Sequence, residues 1–244
     1  TLMGIGAFPS KDPLFIGMIG QHGAKNANRA VEEADVLIVL GARMGDRALG
    51  SPNEFAKGAT IVHIDIDPAE IGKNVSTSIP VVGDIKTTVD QLLSYDIDRD
   101  DWSEWLKRVE GFKEPTTAET LRQGLDPIAI IEALSVRSDD NTIFVTDVGQ
   151  HQLWAGKHLG INVPRTFLSS GGLGTMGYGL PAAIGAKIAN PTKEVVLITG
   201  DGSFQMNIAE LATLRQEELT VKIIILNNST LGMVRELQQH NYDE

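Results

Sequence analysis

Residues 194–228 read EVVLITGDGSFQMNIAELATLRQEELTVKIIILNN, and this stretch decides the fold. It begins and ends with a continuous apolar run, EVVLITG (Glu194–Gly200) and VKIIILNN (Val221–Asn228), and the segment between them has a helical pattern. Such runs are typical of strands in a parallel sheet covered on both faces. Because the carboxyl ends of parallel strands meet at one edge of the sheet, we expect Asp201 and Asn228, which each follow an apolar run, to lie side by side.

The same alternation of strand-like and helical segments runs through most of the chain. The further strand-like runs are DVLIVL (Asp35–Leu40), IVHIDI (Ile61–Ile66), TIFVTD (Thr142–Asp147) and TFLSS (Thr166–Ser170). The helical patterns are KNANRAVEEA, TTVDQLL and PAAIGAKIA. The sequence therefore predicts an α/β fold with two parallel-sheet domains, helices on both faces of each sheet and right-handed crossovers.

A polar stretch without strand signals separates the two series of strands. It covers residues 95–124, and we interpret it as a linker with one short amphipathic helix around Trp102–Phe112. This predicts a first domain over residues 1–94 and a second over residues 125–244. The chain starts without Met and stops at a polar NYDE, so we expect it to be a piece of a longer protein.

Composition and charge exclude several classes of protein. The 244 residues carry 32 Asp and Glu against 21 Lys and Arg, a formal net charge of −11. Nucleic-acid binding is not expected, because it depends on clustered Lys and Arg. No apolar run reaches the ~20 residues that span a bilayer, so we expect no membrane association. The lack of cysteine excludes disulfides and thiolate metal sites and favours a cytoplasmic location.

The residues around Asp201 and Asn228 predict a magnesium and diphosphate site. Carboxylate and amide oxygens suit Mg²⁺, which takes one or two protein carboxylates and completes its shell with water and phosphate. Gly200 and Gly202 allow close backbone approach and leave N–H groups free for phosphate. We also expect the helix that begins near Asn207 to direct its positive end at the site. A turn after a strand, or a strand-closing Asn pair, is by itself more often structural, and it is the combination that favours a site.

A second glycine pattern leaves an alternative open. GLGTMG matches the dinucleotide fingerprint G-x-G-x-x-G at Gly172, Gly174 and Gly177. One match is weak evidence, the strand before it is short, and Glu194 begins a strand rather than ending one. A nicotinamide site here is therefore the less favoured interpretation.

The motifs carry a resemblance to a known family. GDGSFQMNIAELATL…VKIIILNNSTLGMV resembles the thiamin diphosphate motif, which opens with GDG and closes with NN. Two further stretches, SSGGLGTMGYGLPAAIGA (Ser169–Ala186) and TDVGQHQLWA (Thr146–Ala155), resemble the large catalytic subunits of acetolactate synthases, also called acetohydroxyacid synthases. The resemblance covers nearly the whole chain. It implies decarboxylation of pyruvate on thiamin diphosphate and ligation of the hydroxyethyl unit to a second 2-keto acid, in branched-chain amino acid biosynthesis.

The resemblance implies roles for residues of the second domain. It implies Mg²⁺ ligation by Asp201, Asn228 and the backbone carbonyl of Thr230. It implies cofactor contacts, with the diphosphate, the aminopyrimidine or beneath the bent cofactor, from Gln150, His151, Gly174, Met176, Gly200, Gly202, Ser203, Met206 and Met233. His151 taken alone is an ordinary polar loop residue, on the loop after the TIFVTD strand, and the two methionines Met206 and Met233 taken alone are ordinary core residues.

The first domain resembles the central domain of the same family, which binds FAD in the anabolic enzymes. The matching stretches are TLMGIGAFP, GMIGQHG, GARMGDR, IDIDPAEIGKN and VVGDI. The resemblance implies flavin contacts from Leu2, Met3, Gly20, His22, Gly41, Ala42, Arg43, Arg47, Asp65, Ile66, Asp84 and Ile85. The two arginines suit pyrophosphate and the two aspartates suit ribose hydroxyls. The alternative is that these are solvated loop charges.

The sequence departs from the family at two positions. Gly45 stands where the family has an acid, which affects one flavin contact. Leu237 stands where the family has a Trp associated with preference for 2-ketobutyrate, so pyruvate is the safer second substrate.

The resemblance also implies partners: a homo-oligomer and, as a candidate, a regulatory subunit. It further implies an activating glutamate in an N-terminal domain that this chain lacks. We therefore expect the chain alone to be inactive.

Other functions remain as alternatives. Another thiamin diphosphate enzyme of the same architecture, such as a 2-keto acid decarboxylase, oxidase or carboligase, fits the same motifs. A non-catalytic cofactor-binding or regulatory module is disfavoured, because such a module does not need the metal ligands of GDG and NN.

Overall fold

A computed structural model describes residues 1–96, 101–112 and 125–242. They divide into two compact units, one of Thr1 and residues 16–112 and the other of Leu2–Phe15 and residues 125–242. Leu2–Phe15, which the sequence placed in the first domain, thus packs with the second unit. Ser10 explains why: its hydroxyl donates to the Ile161 carbonyl at 2.9 Å and accepts from the Ile161 N–H at 3.0 Å.

The first unit contains a three-stranded parallel sheet in the order β1-β2-β3. Its elements in chain order are α1 (Lys25–Glu32), β1 (Val36–Leu40), α2 (Asp46–Leu49), β2 (Thr60–Asp65), β3 (Ile79–Val82), α3 (Ile85–Leu93) and α4 (Ser103–Glu110). Helix α4 is the short helix expected inside the linker. It packs in this unit, because Arg108 pairs with Glu33 and Arg29 lies 4.4 Å from the ring centroid of Phe112. The rest of the expected linker includes residues 97–100 and 113–124, outside the described residues.

One face of β1 departs from the expectation of a strand buried on both sides. Val39 is 8% exposed and belongs to the core of the first unit. Val36, Ile38 and Leu40 project from the opposite face and are 53%, 56% and 46% exposed. In the described residues, therefore, this strand is covered on one face only.

The second unit contains a four-stranded parallel sheet in the order β5-β4-β6-β7. Its elements in chain order are α5 (Pro127–Arg137), β4 (Ile143–Thr146), α6 (Gln150–His158), β5 (Phe167–Ser169), α7 (Gly179–Ala189), β6 (Val195–Gly200), α8 (Asp201–Met206), α9 (Leu211–Gln216), β7 (Lys222–Leu226) and α10 (Gly232–Tyr242). The predicted α/β class with parallel sheets and flanking helices is confirmed.

Alternate residues of the central strands explain why this sheet is apolar throughout. Val145 and Leu197 pack in a cluster with α7, whereas Phe144 and Ile198 pack with α5 and α6 on the opposite side. Because successive side chains of a strand point to opposite faces, a sheet covered on both faces needs an unbroken apolar run. Residues 143–145 and 195–198 have this property.

Five helical segments differ from the sequence prediction, and two of them, α2 and α10, were not predicted. The helix expected from about Asn207 begins earlier, at Asp201, and Asn207 (φ −129°) ends it before a 3-10 turn and α9. His151 lies in the first turn of α6 rather than in a loop. Helix α5 was not predicted either, although Asp126 before Pro127 is a typical helix start: its side chain accepts from the Ile128 N–H. Among the described residues, no helix is both long and apolar enough to cross a membrane.

Candidate cofactor site

A pocket of about 200 Å³ lies at the carboxyl edge of the second sheet. The chain leaves β4, β6 and β7 at this edge, and polar or glycine residues follow each strand. Among the predicted site residues of this domain, those that line the pocket are Gln150, His151, Gly174, Met176, Gly200, Asp201, Gly202, Ser203, Asn228, Thr230 and Met233. Met206 does not line it and is 57% exposed at the end of α8.

Asp201 and Asn228 lie next to each other, as parallel strands require. The backbone N–H of Asn228 is 3.4 Å from Asp201 Oδ1. Ser229 adopts a left-handed conformation (φ 54°), which turns the chain so that Thr230 also faces the pocket and its N–H donates to Asn228 Oδ1 at 3.1 Å. The Asp201 carboxylate and the Asn228 side chain therefore lie side by side, and Thr230 lines the same pocket.

A cation at this position would be held by few charges. Among the described residues there is no group of three or more His, Cys, Asp or Glu side chains that could hold a metal. One carboxylate with neutral oxygens would bind a metal only weakly if the protein had to supply all of the ligands. It fits Mg²⁺, which takes one or two protein carboxylates and shares the remaining positions with water and phosphate.

Glu236 and Gly232, which the sequence did not indicate, support the amides of this site. Asn228 Nδ2 donates to Gln150 Oε1 at 3.1 Å, and Gln150 Nε2 donates to Glu236 Oε1 at 2.6 Å. A carboxylate only accepts, so Glu236 selects the orientation of the Gln150 amide, and Gln150 selects that of Asn228. Gly232 makes room for this arrangement, because a Cβ atom there would overlap Gln150 Oε1. Because Nδ2 of Asn228 points at Gln150, its Oδ1 is directed away from Gln150.

His151 is a neutral, buried side chain beside the pocket. It is 5% exposed, and burial lowers its pKa to about 4, against the opposing effects of the Asp147 and Asp201 charges and a hydrogen bond to the Asp147 backbone. Gly149 and Gly200 leave the space for the ring, since a Cβ atom at Gly149 would lie 2.7 Å from its Cε1. The Nε2 atom is buried without a hydrogen-bond partner. Because unpaired buried polar atoms are costly, this atom is a candidate for contact with a ligand.

Asp147, also missed by the sequence prediction, joins two loops of the site. It is 1% exposed at the end of β4. Its Oδ1 accepts from the N–H groups of Val148 (2.7 Å) and Gly177 (2.9 Å), and its Oδ2 accepts from that of Gly179 (2.9 Å). Ser203 connects the same region, because its hydroxyl donates to the Val148 carbonyl at 2.8 Å. The Ser203 hydroxyl therefore donates its proton within the protein.

The loop between β5 and α7 supplies the opposite wall. Gly174 has a left-handed conformation (φ 68°), and its N–H donates to the Ser170 carbonyl at 3.1 Å. No atom lies within 4 Å of a Cβ built at Gly174, so its backbone is open to a ligand. Met176 reaches towards Gly202, with its Cε 3.7 Å from a Cβ built there.

The chemistry of the lining fits a molecule with a charged diphosphate and apolar rings. Its polar groups include the Asp201 carboxylate, the unpaired Nε2 of His151, and the first N–H groups of α8, which have no partners within the helix. Its apolar side chains are Trp154, Met176, Leu226, Leu231, Met233 and Val234.

In the first unit, the predicted flavin residues cluster mainly at the carboxyl edge of its sheet. Gly41, Ala42 and Arg43 follow β1, Asp65 and Ile66 lie at the end of β2, and Asp84 and Ile85 follow β3. The Gly41 N–H donates to the Ile64 carbonyl at 2.8 Å. A Cβ at Gly41 would lie 2.5 Å from Ile85 Cδ1, which brings the ends of β1 and β3 together.

The charged members of this set have different surroundings. Asp65 is 7% exposed and accepts from the Asp67 N–H at 2.9 Å. Asp84 caps α3, and its bonds to the backbone and hydroxyl of Thr87 are the main causes that lower its pKa. Arg43 and His22 are exposed, and exposed Arg47 lies 3.5 Å from Asp46.

The remaining flavin candidates lie elsewhere. Gly20 packs on the Arg47 carbonyl, which would be 2.5 Å from a Cβ at residue 20. Leu2 and Met3 belong to the second unit, where Met3 Sδ would lie 2.5 Å from a Cβ at Gly171. Gly45 has no atom within 4 Å of a built Cβ, so the space for an acidic side chain is present although the acid is not.

Comparison with known proteins identifies the family. The pattern of the thiamine pyrophosphate enzyme C-terminal TPP binding domain matches residues 147–244, and that of the thiamine pyrophosphate enzyme central domain matches residues 1–92. The chain belongs to the thiamine pyrophosphate enzyme family. Thiamine pyrophosphate is the same compound as thiamin diphosphate, and the resemblance drawn from GDG and NN is confirmed.

Relatives of this thiamine pyrophosphate enzyme match it from end to end. It is 48% identical to the acetolactate synthase large subunit of Cyanidium caldarium over 100% of this chain and 43% of that protein. It is 43% identical to the acetolactate synthase isozyme 1 large subunit of Escherichia coli (100% and 44%) and 45% identical to the chloroplastic acetolactate synthase of Arabidopsis thaliana (99% and 37%). The chain therefore spans less than half the length of the curated relatives it matches.

Proposed function

We propose that this chain is the cofactor-binding part of an acetolactate synthase large subunit. The proposed reaction removes carbon dioxide from one pyruvate and joins the remaining two-carbon unit to a second 2-keto acid. The observation that supports it most is the pocket in which Asp201, Asn228 and His151 meet, in a chain with end-to-end identity of 43–48% to acetolactate synthase large subunits.

The proposed roles follow from the atoms that line the pocket. Asp201, Asn228 Oδ1 and the Thr230 carbonyl would hold Mg²⁺, and the N–H groups of Gly202 and Ser203 would donate to the diphosphate. A proton shared between His151 Nε2 and a diphosphate oxygen would satisfy both groups. Thiamin diphosphate, when bound, supplies the carbon nucleophile and the electron sink for decarboxylation.

The remaining pocket residues would orient the organic part of the cofactor. The Gly174 carbonyl would accept a hydrogen bond from the aminopyrimidine, and no atom lies within 4 Å of a Cβ built at this residue. Met176 would support the cofactor from below, and Met233 would pack against a ring. Their apolar surroundings exclude water from the reacting atoms, which strengthens polar contacts within the site.

FAD is proposed as a structural cofactor of the first unit. The support is the cluster of Gly41, Asp65 and Asp84 at one sheet edge, where dinucleotides bind in open α/β sheets. The reaction of two 2-keto acids to acetolactate and carbon dioxide needs no oxidant, so the flavin would not exchange electrons in it. A test is the absorbance spectrum of the purified protein, in which a flavin shows a band near the blue end of the visible range.

Partners and location remain proposals. The relatives are named large subunits, and on that basis we propose a regulatory subunit and a homo-oligomer for this protein. A cytoplasmic location stays a prediction of the sequence.

The decisive experiment uses the full-length product of the gene with pyruvate, thiamin diphosphate, Mg²⁺ and FAD. Acetolactate is converted to acetoin by acid and measured, with and without 2-ketobutyrate. Acetolactate as the main product supports the proposal. Acetaldehyde or acetate as the main product would instead assign the chain to a decarboxylase or an oxidase of the same family.

A further inference from the structure

The peptide backbone of Gly177 is held from both sides by side chains of two other loops. Its N–H donates to Asp147 Oδ1 at 2.9 Å, and its carbonyl accepts from Asn207 Nδ2 at 2.7 Å. Asp147 directly follows β4 and Asn207 directly follows α8. The two residues come from different sides of the site, so together they fix the position of Gly177 relative to the sheet.

Residue 177 has to be glycine for this arrangement. Its φ of 87° lies in the left-handed region, which is unfavourable for residues with a Cβ. A Cβ there would also lie 2.9 Å from Asn207 Nδ2 and 3.1 Å from Met206 Cβ. The close contact with Asn207 and the backbone conformation are thus parts of one constraint.

The buried carboxylate of Asp147 strengthens the same constraint. It is 1% exposed, and its bonds to the N–H groups of Gly177 and Gly179 hold both ends of the turn that leads into α7. A buried charge is tolerated when such bonds satisfy it, so neither N–H can leave without exposing the carboxylate to an unfavourable environment. Neither Asp147 nor Asn207 is among the residues that line the pocket.

The residue that this constraint positions is Met176. It immediately precedes Gly177 in the chain, it lines the pocket, and its Cε is 3.7 Å from a Cβ built at Gly202. The N–H bonded to Asp147 belongs to the peptide group that joins Met176 to Gly177. Loss of either bond would therefore loosen the backbone of Met176, whereas Asp201 and Asn228 are bonded to each other and not to Gly177.

We infer that Asp147 and Asn207 are positioning residues that hold Met176 against the organic part of the cofactor. Both would raise the affinity for thiamin diphosphate without touching it, and loss of the Asn207 amide would leave the binding of the diphosphate and metal unchanged. The inference rests on the proposed cofactor site but not on the identity of the product.

The test measures two dissociation constants in the full-length protein, those of thiamin diphosphate and of inorganic pyrophosphate, each with Mg²⁺. Binding is followed by the fluorescence of Trp154, which lines the pocket, and checked by calorimetry. In Asn207→Ala we expect thiamin diphosphate to bind about 10-fold more weakly and pyrophosphate to bind within twofold of the unaltered protein, as is typical of losing one supporting hydrogen bond. Asn207→Asp, which replaces the donor with an acceptor, should weaken the binding of thiamin diphosphate at least as much.

Two further variants keep the inference falsifiable. Asn162→Ala is the matched control, because Asn162 also donates its amide, to Asp140 at 3.0 Å, away from the pocket. In a Met176→Ala background, Asn207→Ala should raise the dissociation constant of thiamin diphosphate by less than twofold. The side chain that Asn207 positions is already absent from that protein. The inference is overturned if Asn207→Ala weakens both ligands equally, if it weakens neither, or if its effect persists in the Met176→Ala background.

The inference and the proposed function fail in distinguishable ways. A protein that binds thiamin diphosphate but forms no acetolactate contradicts the proposed reaction and leaves the selective effect of Asn207→Ala measurable. A protein that does not bind thiamin diphosphate contradicts both.

Discussion

The amide oxygen of Gln150 occupies the space where a side chain at residue 232 would begin. A Cβ atom built on Gly232 would overlap Gln150 Oε1, which accepts a hydrogen bond from Asn228 Nδ2. The first residue of α10 thus has no side chain because an amide of α6 lies there. This relationship connects three chain segments that meet at the carboxyl edge of the sheet.

Gly232→Ala should weaken the binding of Mg²⁺ and thiamin diphosphate about 10- to 100-fold, because displaced Gln150 no longer orients the Asn228 amide. Calorimetric titration of both ligands measures this effect. The matched control is Gly185→Ala in α7, where no atom lies within 4 Å of the new Cβ and alanine should stabilise the helix by up to about 1 kcal/mol. Unchanged binding in Gly232→Ala would contradict the importance of this amide chain.

The sequence predicted the parts of the structure that depend on local patterns. Strands β4, β6 and β7 lie within the runs expected at residues 142–147, 194–200 and 221–228, since β-branched apolar runs have few alternatives in a covered sheet. The adjacency of Asp201 and Asn228 follows from parallel strands alone.

The contacts that orient the site depend on residues far apart in sequence. Asp147 bonds to Gly177 and Gly179, and Glu236 bonds to Gln150, and nothing in the local sequence of either acid indicates these partners. Asn207 interrupts a helical pattern because its side chain bonds to Gly177, which is a tertiary effect. The start of α5 carried a local signal that was overlooked, Asp126 before Pro127.

Asp201→Ala should weaken Mg²⁺-dependent binding of thiamin diphosphate by 100-fold or more, because it removes the single carboxylate proposed for the cation. Titration of Mg²⁺ at fixed thiamin diphosphate gives the half-saturating concentration. Glu217→Ala, at the exposed end of α9 in the same unit, is the control and should bind normally. A half-saturating concentration that Asp201→Ala leaves unchanged would rule out the proposed magnesium site.

His151 should make the stability of the second unit depend on pH. Its pKa is about 4 in the folded state against 6.5 for an ordinary histidine, so the unfolded state takes up a proton between these values and the folded state does not. The contribution of neutral His151 to the free energy of unfolding is therefore fully present above pH 6.5 and is lost as the pH falls towards 4. Between pH 7 and pH 5 this lowers the free energy of unfolding by about 2 kcal/mol.

The measurement compares the free energy of unfolding by denaturant at pH 7 and pH 5, without cofactor, in the unaltered protein and in His151→Gln. The variant should lose about 2 kcal/mol less over this interval, because the other titrating groups contribute equally to both proteins. An identical loss in the two proteins would show that His151 is not buried as a neutral ring.

Leu237→Trp should shift the choice of second substrate towards 2-ketobutyrate. Leu237 is 59% exposed on α10, the helix that also supplies Met233 and Val234 to the pocket, so a larger side chain there has room to extend along the same helix. It supplies the residue type that the resemblance to acetolactate synthases implies for this preference, and one apolar contact of that size is worth about 10-fold in discrimination. The measurement is the product ratio with equal pyruvate and 2-ketobutyrate. Val136→Trp, at an 86% exposed position on α5, adds the same ring elsewhere and should leave the ratio unchanged. An equal ratio in both variants would mean that residue 237 does not contact the second substrate.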